Sequence, residues 1–237
     1  MHPADRSEEW FVPRFGPRRF RVVVGLLFLP YTGMVLSFTV LGGLLSPVVD
    51  WERVLALVVI YALALGIGAH ALDALGSKSI KPWGAAFSPA ALRTVAIVSL
   101  VAAYAIGIWY MQQYAPWLWP IALAEGFFVL AYNLEWFGGR FHTDGWFAFS
   151  WGALPALAGY VLQTNALGTS ALLLAAGTAA LSMVEIKASR PYKALRAGRS
   201  SPEASLLVPL ERILQGVSLG TILLTLGLAI ARWSGTS

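Results

Sequence analysis

An all-α polytopic transmembrane helical bundle is the fold class this sequence predicts. Three observations predict it: apolar residues fill 57% of 237 positions, charged residues only 12%, and mean hydropathy is +0.66. A water-soluble chain of this size lacks the polar surface to cover so much apolar material, so the expected solvent is a bilayer. Seven stretches have roughly the 20 apolar residues that a helix needs to cross hydrocarbon. They run over 22–45, 54–72, 94–114, 117–135, 146–163, 168–185 and 213–231. The expected domains are a cytosolic tail, 1–21, and one transmembrane unit, 22–233, in which 191–212 forms a loop and an interfacial helix. The tail carries no signal-peptide pattern of short apolar core and cleavage site.

Charge sets the expected orientation, because short cytoplasmic loops hold the Lys and Arg. With the N-terminus inside, Arg14, Arg18, Arg19, Arg21, Lys78, Lys81, Arg93, Arg140, Lys187, Arg190, Lys193, Arg196 and Arg212 fall in the cytoplasm, with Arg6 and Arg199. Arg53 and Arg232 fall outside, beside the C-terminus. The net charge of +5 therefore reads as topology and attraction to anionic lipid, not as a nucleic-acid surface. Trp51, Trp117, Trp119, Trp136, Trp146 and Trp233 sit near span ends, where an interfacial belt places them. Pro30, Pro120 and Pro155 fall inside spans and are expected to bend them. Leu206, Leu207, Leu210 and Leu214 recur at helical spacing, as on a helix lying at the interface. Gly66 with Gly68 and Gly216 with Gly220 suggest close helix packing.

Absence of cysteine removes thiolate chemistry and disulfides. Polar groups concentrate where spans two, four and six reach the cytoplasm. The second ends in His70-Ala71-Leu72-Asp73, which puts His70 and Asp73 on one helical face, and is followed by Lys81-Pro82. The fourth ends in Tyr132-Asn133-Leu134-Glu135, then Gly138-Gly139-Arg140-Phe141-His142-Thr143-Asp144. The sixth ends in Glu185, followed by Lys187, Arg190 and Lys193. A carboxylate near hydrocarbon is costly, so it is paired or functional. Structural alternatives stand beside the chemical ones: a helix-end pair for His70 with Asp73, a solvated glycine turn for Asn133 to Asp144, and a salt bridge to Lys187 or Arg190 for Glu185. Glu125 lies mid-span and must face protein or a cavity, as a neutral hydrogen-bonded acid, a substrate contact or a proton relay. Imidazole mixed with carboxylate favours iron, zinc or manganese over magnesium alone.

The placement of these clusters, with Lys81-Pro82, Tyr132-Asn133 and downstream Arg140, and Gly152-Ala153-Leu154-Pro155 through Gly159-Tyr160, resembles the UbiA-type intramembrane prenyltransferase superfamily. The resemblance covers about residues 20–200, by order and spacing. It implies an enzyme acting on an isoprenoid or other lipid that enters from the bilayer, with a divalent metal at the cytoplasmic helix ends. Family members bind magnesium diphosphate through two aspartate-rich segments and usually have nine spans. Asp73 with His70, and Glu185 amid Lys187, Arg190 and Lys193, stand at the corresponding places here. The reading assigns metal ligation to His70, Asp73, Glu135, His142 and Glu185. Catalytic or orienting roles fall to Asp73, Asn133, Glu135 and Asp144, and substrate contacts to Lys81, Glu125, Tyr132, Arg140 and Lys193. Two other functions stay open: a metal-dependent membrane oxidase or hydrolase with a His and carboxylate centre, and a small transporter or ion-conducting protein using Glu125 and the histidines.

Overall fold

A computed structural model describes residues 9–76, 86–196 and 204–235. Among them every regular element is helical, with no strand. The chain runs α1 (Arg18–Leu26), α2 (Leu29–Leu44) and α3 (Trp51–Tyr61), then through a π-helical stretch (Ala62–Ala69) into α4 (His70–Gly76). Next come α5 (Pro89–Gln113), α6 (Leu118–Asn133), α7 (Trp136–Gly139) and α8 (Asp144–Phe147). A second π-helical stretch (Ala148–Ala153) leads into α9 (Leu154–Thr164), and α10 (Thr169–Arg196) and α11 (Leu207–Ser234) complete the bundle. Six continuous helical segments are long and apolar enough to cross a membrane, and α6, with 16 residues, is a shorter apolar helix. All seven stretches expected from hydropathy are helical.

Burial decides which helices are central. Two-thirds (67%) of the apolar window in Asp144–Thr164 and 61% of that in Arg18–Leu44 are buried, against 28% in α5 and 22% in α11. α2 packs between α9 and α11, α10 packs on the second π-helical stretch and on α11, and α5 flanks the first. Ile97, Val98 and Val101 of α5 and Leu223, Leu224 and Ile230 of α11 point outward. A continuous apolar exterior of this kind suits hydrocarbon rather than water. In lipid, helices associate through close packing of small residues instead of hydrophobic transfer. The α2–α9 crossing is built that way: a Cβ on Gly42 would lie 2.0 Å from the Ala156 carbonyl oxygen, and one on Gly159 2.1 Å from that of Thr39.

Side-chain caps explain several boundaries. Asp50 accepts from the Glu52 and Arg53 amides at the start of α3, and Ser88 and Thr143 cap α5 and α8. Arg53 reaches the Leu162 and Gln163 carbonyls, while Gln163 pairs with both backbone groups of Asp50. Arg232 donates to the Leu44 carbonyl, and Trp51 meets Trp233 edge-on. The two cations expected outside thus tie helix ends together.

Several expectations differ in detail. Pro30 and Pro120 each occupy the first turn of a helix, where the missing amide hydrogen costs little, whereas Pro155 lies inside the continuous segment Asp144–Thr164, just past its π-helical stretch. The break in the first span instead falls at Phe28, left-handed at φ 44° between α1 and α2. α10 continues through Pro191 to Arg196, so no loop begins at 191. Leu207, Leu210 and Leu214 belong to the first turns of α11 and pack toward Tyr192 and Val22, so this stretch is the root of the last helix, not a separate interfacial one. Gly66 and Gly68 are closely packed, as expected. Gly216 and Gly220 are not: a Cβ at either meets nothing within 4 Å.

Candidate functional site

Both π-helical stretches lie beside one cavity of about 210 Å³ at the cation-rich end of the bundle. π-helical turns re-aim side chains and concentrate at functional sites. The first delivers His70 to the cavity and the second delivers Trp151. Helices two, four and six by the expected count do converge there. α4 supplies His70 and Asp73, the end of α6 supplies Tyr132 and Asn133 with His142 beyond it, and α10 supplies Ser182, Glu185, Arg190 and Lys193. The rest of the lining is apolar and aromatic, with Phe28, Tyr31, Met34 and Val35, Phe147 and Trp151.

Hydrogen bonding fixes part of the chemistry. Thr32 donates its single hydrogen to the Leu27 carbonyl at 2.7 Å, bridging the helix break, so at 3.3 Å it accepts from His70 Nε2. The His70 ring lies 4.9 Å from that of Phe28 and 5.6 Å from that of Trp151. Phe28 also carries Lys193 over its face at 5.5 Å. Holding Phe28 at positive φ costs about 1–2 kcal/mol, and this conformation directs its ring between the two nitrogen side chains. His142 stacks on Tyr132 at 4.4 Å, and its Nδ1 donates 2.9 Å to the Tyr132 carbonyl, leaving Nε2 to face other partners.

Glu185 is 3% exposed, and its Oε2 has no hydrogen-bond partner among the described residues. Ser182 and Ser189, on the same face of α10, carry buried hydroxyls in the same condition. Most buried polar atoms are satisfied, so three together beside or lining a cavity mark a place prepared for something else. The expected bridge from Glu185 to Lys187 or Arg190 does not form. Both cations go to Asp144, Lys187 at 2.7 Å and Arg190 at 2.9 Å. The Lys193 charge acts on Glu185 instead.

The remaining expected site residues divide clearly. Asn133 lines the cavity, but its amide is turned to the Val129 carbonyl at 2.8 Å. Glu135 stands at φ 50° in a left-handed turn and lies outside the lining, as does exposed Arg140. The cation facing Tyr132 is Arg190, which also donates to the His142 carbonyl at 3.2 Å. Asp144 lies outside the lining and pairs with Arg190. Glu125 faces a cavity, as expected, but a different one. Lys81 is outside the described residues. Sequence reasoning missed Ser182, Phe28, Tyr31 and Trp151. Ser182 was within reach, since Ser182, Glu185, Ser189 and Lys193 recur at helical spacing.

Four of the five expected metal ligands, His70, Asp73, His142 and Glu185, share the cavity. Among the described residues, however, no three His, Asp or Glu side chains converge closely enough to hold an ion. Thr32 and Tyr132 already engage one nitrogen of each histidine. The described side chains therefore form no closed ion site, while each histidine keeps its second ring nitrogen. No family model, curated protein or solved structure matches the chain.

The loop from 142 to 144 depends on Arg190. Asp144→Asn is expected to cost only about 0.5–1 kcal/mol, since these ion pairs are partly solvated. Arg190→Ala, which also releases the His142 carbonyl, is expected to raise amide hydrogen exchange over 141–145 well above the level seen in Asp144→Asn.

Proposed function

We propose that this chain is an integral membrane enzyme, UbiA-like in arrangement, that acts on an isoprenoid or another lipid with an anionic headgroup. The cation-rich end faces the cytoplasm, with the N-terminus inside and the C-terminus outside. One observation carries the reading: a single cavity is lined by aromatic side chains and a cluster of titratable groups together, with the buried Glu185 carboxyl lacking a partner for one oxygen. Pockets for amphipathic ligands have this division, an apolar lining with few converging polar groups. Phe28, Tyr31, Phe147 and Trp151 accommodate the chain of the substrate. Arg190 and Lys193 meet its anionic head. Glu185, with Ser182 beside it on α10, takes the proton from the acceptor as the acceptor bonds to the prenyl carbon and the carbon–oxygen bond to diphosphate breaks, the diphosphate leaving against Arg190 and Lys193. His70, fixed by Thr32 and two aromatic rings, orients the substrate rather than binding an ion.

The test uses full-length protein in nanodiscs with isotopically labelled isoprenyl diphosphates and a membrane lipid extract as acceptor, with and without added magnesium, manganese, zinc or iron. Label is expected to pass into the lipid fraction, and transfer is expected to fall at least about 100-fold in Glu185→Gln, as for loss of an acid–base group. Absence of saturable binding by any of these lipids to a folded protein refutes the reading. Transfer that strictly requires one metal would restore a metal centre assembled only with substrate.

A further inference from the structure

A second cavity, about 60 Å³, lies between the first π-helical segment, α5 and α6, and shares no lining residue with the first. It extends from the middle of α5 and α6 to Met111 and Leu118 at one end, and its lining includes no Lys, Arg or His. Its walls are aliphatic except for Tyr61, Tyr104 and Glu125. Tyr61 donates its hydroxyl hydrogen to Glu125 Oε1. Tyr104 donates to the Ala122 carbonyl at 2.9 Å, through space that Gly126 leaves open: a Cβ there would lie 2.1 Å from the Tyr104 hydroxyl. The two tyrosines are therefore committed, and the carboxyl of Glu125 is the polar point left to the cavity.

We infer that this crevice is a second lipid site, which takes the hydroxyl end of an apolar alcohol from the bilayer onto Glu125. An anionic head is excluded, because the cavity has a carboxyl and no cation to offset it. A hydrocarbon tail would leave the carboxyl with Tyr61 alone. A hydroxyl both donates and accepts, so it meets a carboxyl whether that group carries its proton or not. The cavity holds the terminus and adjoining carbons. The rest of the chain runs out of the cavity into the bilayer. The site stands independently of the reading given for the cation-rich end.

Photolabelling of the full chain in phosphatidylcholine nanodiscs tests this with three probes of one chain length: a diazirine-bearing alcohol, its methyl ether and its amine. The alcohol is expected to label residues 51–76, 89–113 and 118–133 saturably, and the ether about tenfold less, as for one lost hydrogen bond. Glu125→Leu should reduce labelling similarly, and Glu125→Gln, which still hydrogen-bonds, should keep it within about threefold. If Glu125→Leu does not fold, Gly107→Leu decides. A Cβ at Gly107 meets only Ile60, at 4.0 Å, so leucine there fills the cavity and should block the label. Equal labelling by the ether, preference for the amine, or indifference to Gly107→Leu would overturn the inference.

Discussion

Glu185→Leu is expected to raise the unfolding temperature of the purified protein while abolishing lipid turnover. The two effects share one cause. Glu185 is buried on α10 with Oε2 unpartnered, and a buried polar atom without a partner costs about 1–3 kcal/mol. Leucine has similar volume and no such requirement, so the folded state should gain a comparable amount, read as a rise of several degrees in detergent. The residue that makes the cavity useful is then one that weakens the fold, the usual relation at sites shaped for a ligand. Glu185→Gln keeps the shape and the polarity, so its stability should stay near wild type while turnover is lost. A purely structural carboxylate behaves oppositely: leucine would then destabilise by the 3–5 kcal/mol that follows from breaking a buried pair.

Seven apolar runs were legible as helices because the bilayer demands length and hydropathy of every span, and neither depends on tertiary detail. Convergence of the even-numbered ends was legible for a related reason. Scarce His and acidic side chains near hydrocarbon must be buried together or wetted, and alternation puts those ends on one side. Legibility failed where backbone conformation decides. Hydropathy ends the run 168–185 at its first carboxylate, yet α10 continues to Arg196, because Ser182, Glu185 and Ser189 turn inward while Lys187 and Arg190 reach Asp144. Glu135 and Arg140 look like cluster members in sequence. Positive φ at Glu135, Phe137, Gly138 and Gly139 carries that turn away from the cavity, and Arg190 supplies the cation from another helix. Phe28 gave no signal, since nothing local marks a phenylalanine for the left-handed region. The π-helical stretches that aim His70 and Trp151 are equally silent in sequence.

Gly159→Leu is expected to prevent assembly of the bundle, the largest structural effect of any single substitution proposed for this chain. A Cβ at this position would sit 2.1 Å from the Thr39 carbonyl oxygen and 2.9 Å from the Gly43 nitrogen. Both obstructing atoms are backbone, so no rotamer change relieves the contact. Gly42 makes the reciprocal approach, 2.0 Å from the Ala156 carbonyl oxygen, which binds α2 and α9 at two levels. Even Gly159→Ala must push the helices apart, and a loss above about 4 kcal/mol belongs to this class of overpacked contact. Separation would also part Tyr31 and Met34 on α2 from Trp151 beyond the start of α9, opening the cavity wall. Gly216→Ala and Gly220→Ala provide the contrast, because a methyl group there meets nothing within 4 Å. Those changes should be neutral or stabilise by up to about 1 kcal/mol through helix propensity. Gel filtration and thermal unfolding in detergent separate the two groups: aggregation of Gly159→Leu beside monodisperse Gly216→Ala supports backbone contact as the source of assembly. Equal behaviour of the two would place that source elsewhere, in the side-chain packing around Phe38.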